Sequence, residues 1–141
     1  MKNLLILIDS FCLFAIAGIH FYWAMGGIKL ASAVLPTNPN GTFSFKPNKL
    51  ATFTVALIFA LFAVIMLSNM VDFSGVLPSI LLKYGTVSVS IIFLLRALGD
   101  FKYMGFSKTV KNTNFADNDS KYYSPLCLMI GAIGLMVYFL K

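Results

Sequence analysis

Apolar residues gather into four long runs separated by polar stretches. The first extends from Leu4 to Gly26. The second extends from Leu50 to Val71, interrupted only by Thr52, Thr54, Ser68 and Asn69. The third covers about Ser79 to Leu98. The fourth covers Pro125 to Leu140 and reaches back through Tyr122 and Tyr123. A helix needs about 20 mainly apolar residues to cross the ~30 Å hydrocarbon core of a bilayer. The runs therefore predict four transmembrane helices, at about 4–26, 50–71, 79–98 and 122–140. Together they make one all-α domain, an integral membrane four-helix bundle.

Punctuation between the runs agrees. Gly26-Gly27 loosens the first helix at its end. Lys46-Pro47-Asn48-Lys49 places a proline near the first turn of the second helix, where its missing N–H costs nothing. Asp72-Phe73-Ser74-Gly75 reads as a turn, and Pro78 opens the third helix. Ser124-Pro125 reads as an N-cap followed by proline at the first helical position. The short Asp72–Leu77 link predicts a tight antiparallel pair of the second and third helices. The longer loops, 28–49 and 99–121, fall on one membrane face.

Composition fits a protein that meets lipid. Apolar residues make up 59% of the 141 and charged residues 11%, where a soluble domain carries about 25% charge to wet its surface. Met1-Lys2-Asn3 before an apolar stretch has the look of a secretory signal. The run is too long for a signal's apolar region and carries His20 and Trp23, so a retained first helix is expected.

The net charge of +6 raises the question of nucleic acid, but the basic residues form no compact run and no nucleic-acid motif occurs. Basic loops at an anionic cytoplasmic surface are the better reading. Lys29, Lys46, Lys49, Arg96, Lys102, Lys108, Lys111 and Lys121 share the long-loop face. Lys2, Lys83 and Lys141 lie towards the other. Eight against three predicts cytoplasmic long loops, with both termini outside, in the periplasm if the source is a Gram-negative bacterium.

Polar residues at membrane depth are the first functional suspects, because burying them is costly. Asp9, Leu13, Ile16, His20, Trp23 and Gly27 recur every three or four residues and form one stripe expected to face the bundle interior. His20, the only histidine, is read as a ligand contact or proton relay, or as a structural histidine with Trp23 an interfacial anchor. Arg96 ends the third helix and suits phosphate or carboxylate recognition, or snorkels to headgroups. Asp100, four residues on, is its local candidate partner. Asp117 and Asp119 precede the fourth helix, where its dipole favours acids. In a sharper reading Asp119 folds back on Arg96 or His20. Tyr122 and Tyr123 suit an aromatic belt.

Ser79, Lys83, Thr86 and Ser90 form a polar stripe on the third helix, read as interhelical glue or a permeation path. Gly131 and Gly134, and Gly18 with Ala15 and Ala17, are expected to let helices approach closely. Cys12 and Cys127 read as apolar fillers. No metal-ligand spacing, phosphate-binding loop or dinucleotide fingerprint appears, so no metal or cofactor is implied. No acidic residue is read in the middle of a span, which weakens a proton-coupled exporter.

Two phrases are specific. Residues His20-Phe21-Tyr22-Trp23-Ala24-Met25-Gly26-Gly27 give HxYWxxGG, and residues 115–126 give FAxxDxxxYSPL. With Pro36 and Leu95-Arg96-Ala97-Leu98-Gly99, they resemble a bacterial family of small four-span membrane proteins catalogued as a domain of unknown function. The resemblance covers nearly the whole chain. It implies the four-helix membrane fold and no particular activity. The residues that match it include His20, Trp23, Gly26, Gly27, Pro36, Arg96, Asp119, Tyr123, Ser124 and Pro125.

The expected function is binding of a lipid or small amphiphile at a cytoplasmic-face pocket of His20, Trp23, Arg96, Asp119 and Tyr123, or an accessory membrane role. The expected partners are membrane lipids and further copies of the chain. Two alternatives belong to other classes. One is a membrane-embedded enzyme with His20 as acid/base and Arg96 as electrostatic clamp. The other is an oligomeric transporter or channel along the Ser79-Lys83-Thr86-Ser90 stripe.

Overall fold

The structure, a computed structural model, describes residues 1–27, 29, 31–36, 38, 40, 42–44 and 46–140. Ile28, at the start of the first long loop, and Lys141, one of the three basic residues of the other face, lie outside the described residues. Among the described residues the regular elements are helical, with no strand. They are α1 (Lys2–Ala24), a short α2 (Ala31–Val34), α3 (Lys49–Leu67), α4 (Ser79–Leu98), α5 (Asn114–Asn118), a π-helical turn (Asp119–Tyr123) and α6 (Ser124–Phe139).

Four helical stretches are long and apolar enough to cross a membrane: α1, α3, α4 and the continuous run Asn114–Phe139. At ~1.5 Å per residue they are about 28–39 Å long, the scale of a hydrocarbon core. Only 28 to 33% of each apolar stretch is buried in the bundle. Leu4, Phe11, Ile80, Leu95 and Phe139 point outwards, each more than half exposed. Such an exterior is stable against acyl chains and would be costly in water.

The bundle centre is apolar. Leu13 from α1, Ala63 and Met66 from α3, Val89 and Phe93 from α4, and Ile130 from α6 form one buried cluster. The most extensive packing joins α1 to α3 and α4 to α6. Helices α3 and α4, expected to pair tightly across their short link, touch less. The link fixes their order in the chain, while side-chain size fixes which faces close. At Gly131 a methyl group would sit 2.7 Å from the Leu94 side chain, and at Gly134 it would collide with the Ser90 hydroxyl. These glycines let α6 lie close on α4, as expected. Gly18 does no such work, for its surroundings are open.

Polar interruptions of the spans are mostly satisfied locally. Thr52 and Thr54 donate to the carbonyls of Asn48 and Leu50 (3.0 Å each). Asn69 donates through Nδ2 to Thr86 Oγ1 (2.8 Å), tying the end of α3 to α4. Ser90 donates to the Thr86 carbonyl (2.7 Å). Of the polar stripe on α4, Thr86 and Ser90 are therefore interior glue, while Ser79 and Lys83 are exposed. Asn48, not the preceding Pro47, caps α3, accepting from the Ala51 amide (2.7 Å).

The Ser124-Pro125 junction differs from expectation. Ser124 has helical dihedrals (φ −66°, ψ −43°) and is not an N-cap. The helical run begins at Asn114, capped by Thr113, whose hydroxyl accepts from the Ala116 amide (3.1 Å). Pro125 has no N–H for the preceding turn and would break a plain α-helix. The π turn absorbs it: the Ser124 amide bonds the Asp119 carbonyl, five residues back.

Candidate functional site

The two long loops meet at one end of the bundle. Tyr103 donates to Asn38 Oδ1 (2.9 Å), and Asn118 and Tyr123 both donate to the Ala33 carbonyl (3.5 and 3.3 Å). Helix α4 leads into this end through Gly99 (φ +96°), and Gly105 (φ +85°) lies against it. A side chain at Gly105 would strike the Gly99 backbone. The intervening turn is held by Asp100, whose Oδ1 accepts from the amides of Lys102, Tyr103 and Met104 (3.0, 2.7 and 2.9 Å). Partial burial pushes the Asp100 carboxyl up, but the Met104, Lys102 and Tyr103 amides outweigh it and hold the group below the usual aspartate range. Asp100 thus organises the loop and is not the partner expected for Arg96.

That partner is Asp119. Its side chain is fully buried. Oδ1 accepts from Arg96 Nη2 (2.9 Å). Oδ2 accepts from the Gly105 amide (2.8 Å), Lys108 Nζ (3.1 Å) and Ser124 Oγ (2.9 Å). Four donors on one carboxylate, two of them cationic, compensate its removal from water. The π turn makes this possible. In an α-helix residues five apart point about 140° away from each other. The wider turn brings the Asp119 and Ser124 side chains to the same side.

In the sequence Lys108 is one basic residue among eight on the long-loop face, yet it is 5% exposed. Its ammonium uses all three donors, on the Gly105 carbonyl (3.0 Å), Asp119 and Ser120 Oγ (2.6 Å). Nothing in the local sequence marks it, because its burial depends on the Gly99–Gly105 contact folding the loop inwards. Gly105 was missed for the same reason.

Arg96 is only half satisfied. Nη2 is engaged by Asp119, but Nη1 is buried without a hydrogen-bond partner. The side chain as a whole remains 30% exposed. Two cations against one carboxylate leave this knot with one net positive charge.

The other residues singled out from the sequence are distributed around the same end. His20 bonds the Ile16 carbonyl through Nδ1 (2.8 Å) and packs with Trp23 and Phe59, ring centroids 5.1 Å away in each case. Phe59 continues to Phe93 at 6.0 Å, one turn before Arg96 on α4. Trp23 donates to the Lys29 carbonyl (2.8 Å). Tyr123 packs on Phe115 (6.2 Å) besides its bond to Ala33. Arg96 and Asp119 are thus brought together. Among the described residues no hydrogen bond or ion pair joins His20, Trp23 or Tyr123 to them. A cleft of about 280 Å³ borders the knot, lined by Phe106, Lys108, Lys111, Ala116, Asp117 and Ser120.

Fold and site define a small four-span membrane bundle with a buried Arg–Asp–Lys knot beneath two interlocked loops. The chain belongs to the family described as Protein of unknown function (DUF3995), whose profile matches residues 13–134. Comparison with curated proteins and with solved structures gave no match.

Proposed function

We propose that the protein binds an anionic lipid headgroup, or a small amphiphile of the same chemistry, at its long-loop end, with Arg96 as the recognising residue. One observation carries this reading: Arg96 presents a buried guanidinium nitrogen without an acceptor, in a knot with net positive charge. An unpaired buried donor costs free energy. At the end of a transmembrane helix, phosphate and ester oxygens of lipid are acceptors at the right depth, and a planar guanidinium suits phosphate. Asp119 holds one edge of the guanidinium and so orients the other. His20, Trp23 and Tyr123 wall the same end with aromatic surface that suits a headgroup boundary.

The lysine and arginine count supports a cytoplasmic position for this end, beside the inner leaflet of a bacterial membrane in this reading. There the exposed Lys102, Lys111 and Lys121 would add attraction for anionic lipid.

Native mass spectrometry of protein extracted gently from its own membrane tests the proposal, with Arg96→Lys beside the wild type. Lysine keeps the charge facing Asp119 but loses the planar fork. An anionic lipid retained by the wild type and lost by the variant supports the reading. Identical lipid content in both overturns it. The same spectra report whether the chain self-associates.

A further inference from the structure

At the opposite end of the bundle lies a second polar site, built around Asp9. Contrary to the expectation of no acid in the middle of a span, the structure buries Asp9 completely, inside α1. It lies seven residues beyond Lys2, about 10 Å along the helix at ~1.5 Å per residue. Asp9 shares the inward face of α1 with Leu13, which belongs to the central core cluster. Neither carboxyl oxygen has a hydrogen-bond partner.

The remaining orphaned groups in this half have the same character. Asn69 Oδ1, at the end of α3, is buried and accepts nothing, although its Nδ2 is fully used. Ser10 Oγ, next to Asp9, is also buried without a partner. Thr86, which Asn69 holds, lies seven residues into α4, the same depth from the same end. Three of the four orphaned atoms are carbonyl-type acceptors, and the fourth is a hydroxyl that can also accept. What the buried interior of this half lacks is therefore positive charge, for Lys83 lies on its exposed surface. The faces that α3, α4 and α6 bury at this level, including Met66, Thr86, Ser90 and Gly134, carry no charged group. On α1 itself the nearby titratable group is Cys12. The two cations that neutralise Asp119 are committed at the other end.

We infer that the Asp9 carboxyl is a binding site for a monovalent cation, a proton or a sodium ion, in the half of the bundle away from the long loops. An isolated carboxylate in a dry apolar core is too costly to persist. A bound cation removes that cost and gives the two Asp9 oxygens something to coordinate. Among the described residues no three His, Cys, Asp or Glu side chains gather, which disfavours a divalent ion. The site does not depend on lipid binding at Arg96.

The test uses the full chain in lipid nanodiscs. Infrared spectra report protonated carboxyl groups, and thermal unfolding with sodium or with choline as the salt cation reports sodium binding. All five acidic residues of the chain are aspartates. Asp119 is ion-paired, Asp117 is exposed to water, and amide donors hold Asp72 and Asp100 below the usual aspartate range. A carboxylic-acid band at neutral pH that Asp9→Asn removes and sodium leaves unchanged identifies the proton. A sodium-dependent rise in unfolding temperature, lost in Asp9→Asn, identifies sodium. If Asp9→Asn does not fold, wild-type protein labelled with carboxyl-¹³C aspartate gives the reading alone. One shifted acid band per chain, or a carboxylate band that moves with sodium, supports the site. Absence of both an acid band and any sodium dependence in the wild type overturns it.

Discussion

Replacing Asp119 with asparagine removes one negative charge and almost no volume, so it isolates the electrostatics of the knot. Asp119 Oδ2 accepts from Gly105, Lys108 and Ser124, and Oδ1 from Arg96. Whichever way the new amide turns, its NH₂ faces at least one donor that had a carboxylate oxygen. Either way the Lys108 side chain, 4% exposed, keeps its charge with no carboxylate beside it, its unchanged acceptors being the Gly105 carbonyl and Ser120 Oγ. Removing one member of a buried ion pair costs about 3–5 kcal/mol. The 30% exposure of Arg96 lets water recover part of its loss, which points to the lower end, about 3 kcal/mol, or roughly 150-fold in the unfolding constant. The measurement is unfolding by sodium dodecyl sulfate from mild detergent micelles, followed by the fluorescence of Trp23, the only tryptophan. Adding Lys108→Met to Asp119→Asn should recover part of the loss, because it removes the stranded charge. A cost of Asp119→Asn below about 1 kcal/mol, the range of a surface pair, would refute the reasoning. So would a double variant no more stable than the single one.

Three further outcomes are expected. Gly134→Ala should cost about 1–3 kcal/mol by overpacking against the Ser90 hydroxyl, and a Ser90→Ala background should return most of it in the same unfolding assay. Gly105→Ala should cost about 1–3 kcal/mol for its left-handed backbone alone, plus the clash with Gly99; proteolysis of the loop at residues 99–108 should then speed up. The folded-state Asp100 carboxyl titrates below its unfolded value, so its contribution is complete at neutral pH and fades as the pH falls through that lower value. Amide exchange at Lys102, Tyr103 and Met104, corrected for intrinsic rates, should show this loss of protection in the wild type and little pH dependence in Asp100→Asn.

Arg96 and Asp119 show where sequence reasoning reached its limit. Their types and their places at the ends of two helices suggest a pair, and the structure makes it at 2.9 Å. Lys108 is the opposite case. Among exposed loop lysines it looks ordinary, and only the fold of the loop over Gly99 and Gly105 takes it out of water. Ser124-Pro125 misled because a serine before a proline is a strong helix-start signal. The alternative, a π turn that tolerates the proline, depends on Asp119 and Ser124 meeting in three dimensions.

The sequence by itself determined what depends on averages along the chain. Twenty-residue apolar runs dictate spanning helices whatever they pack against, because backbone polar groups in lipid must be satisfied within the helix. Periodicity placed Asp9, Leu13 and His20 on one inward face. Only the tertiary structure decided which polar groups meet and which are left alone. That Asp119 has four donors and Asp9 none follows from the π turn, loop closure and helix pairing, which bring Ser124, Lys108, Gly105 and Arg96 to one carboxylate from 5 to 23 residues away. Residue types and apolar periodicity carry no signature of such a meeting, because it depends on how the loop closes over the helix ends.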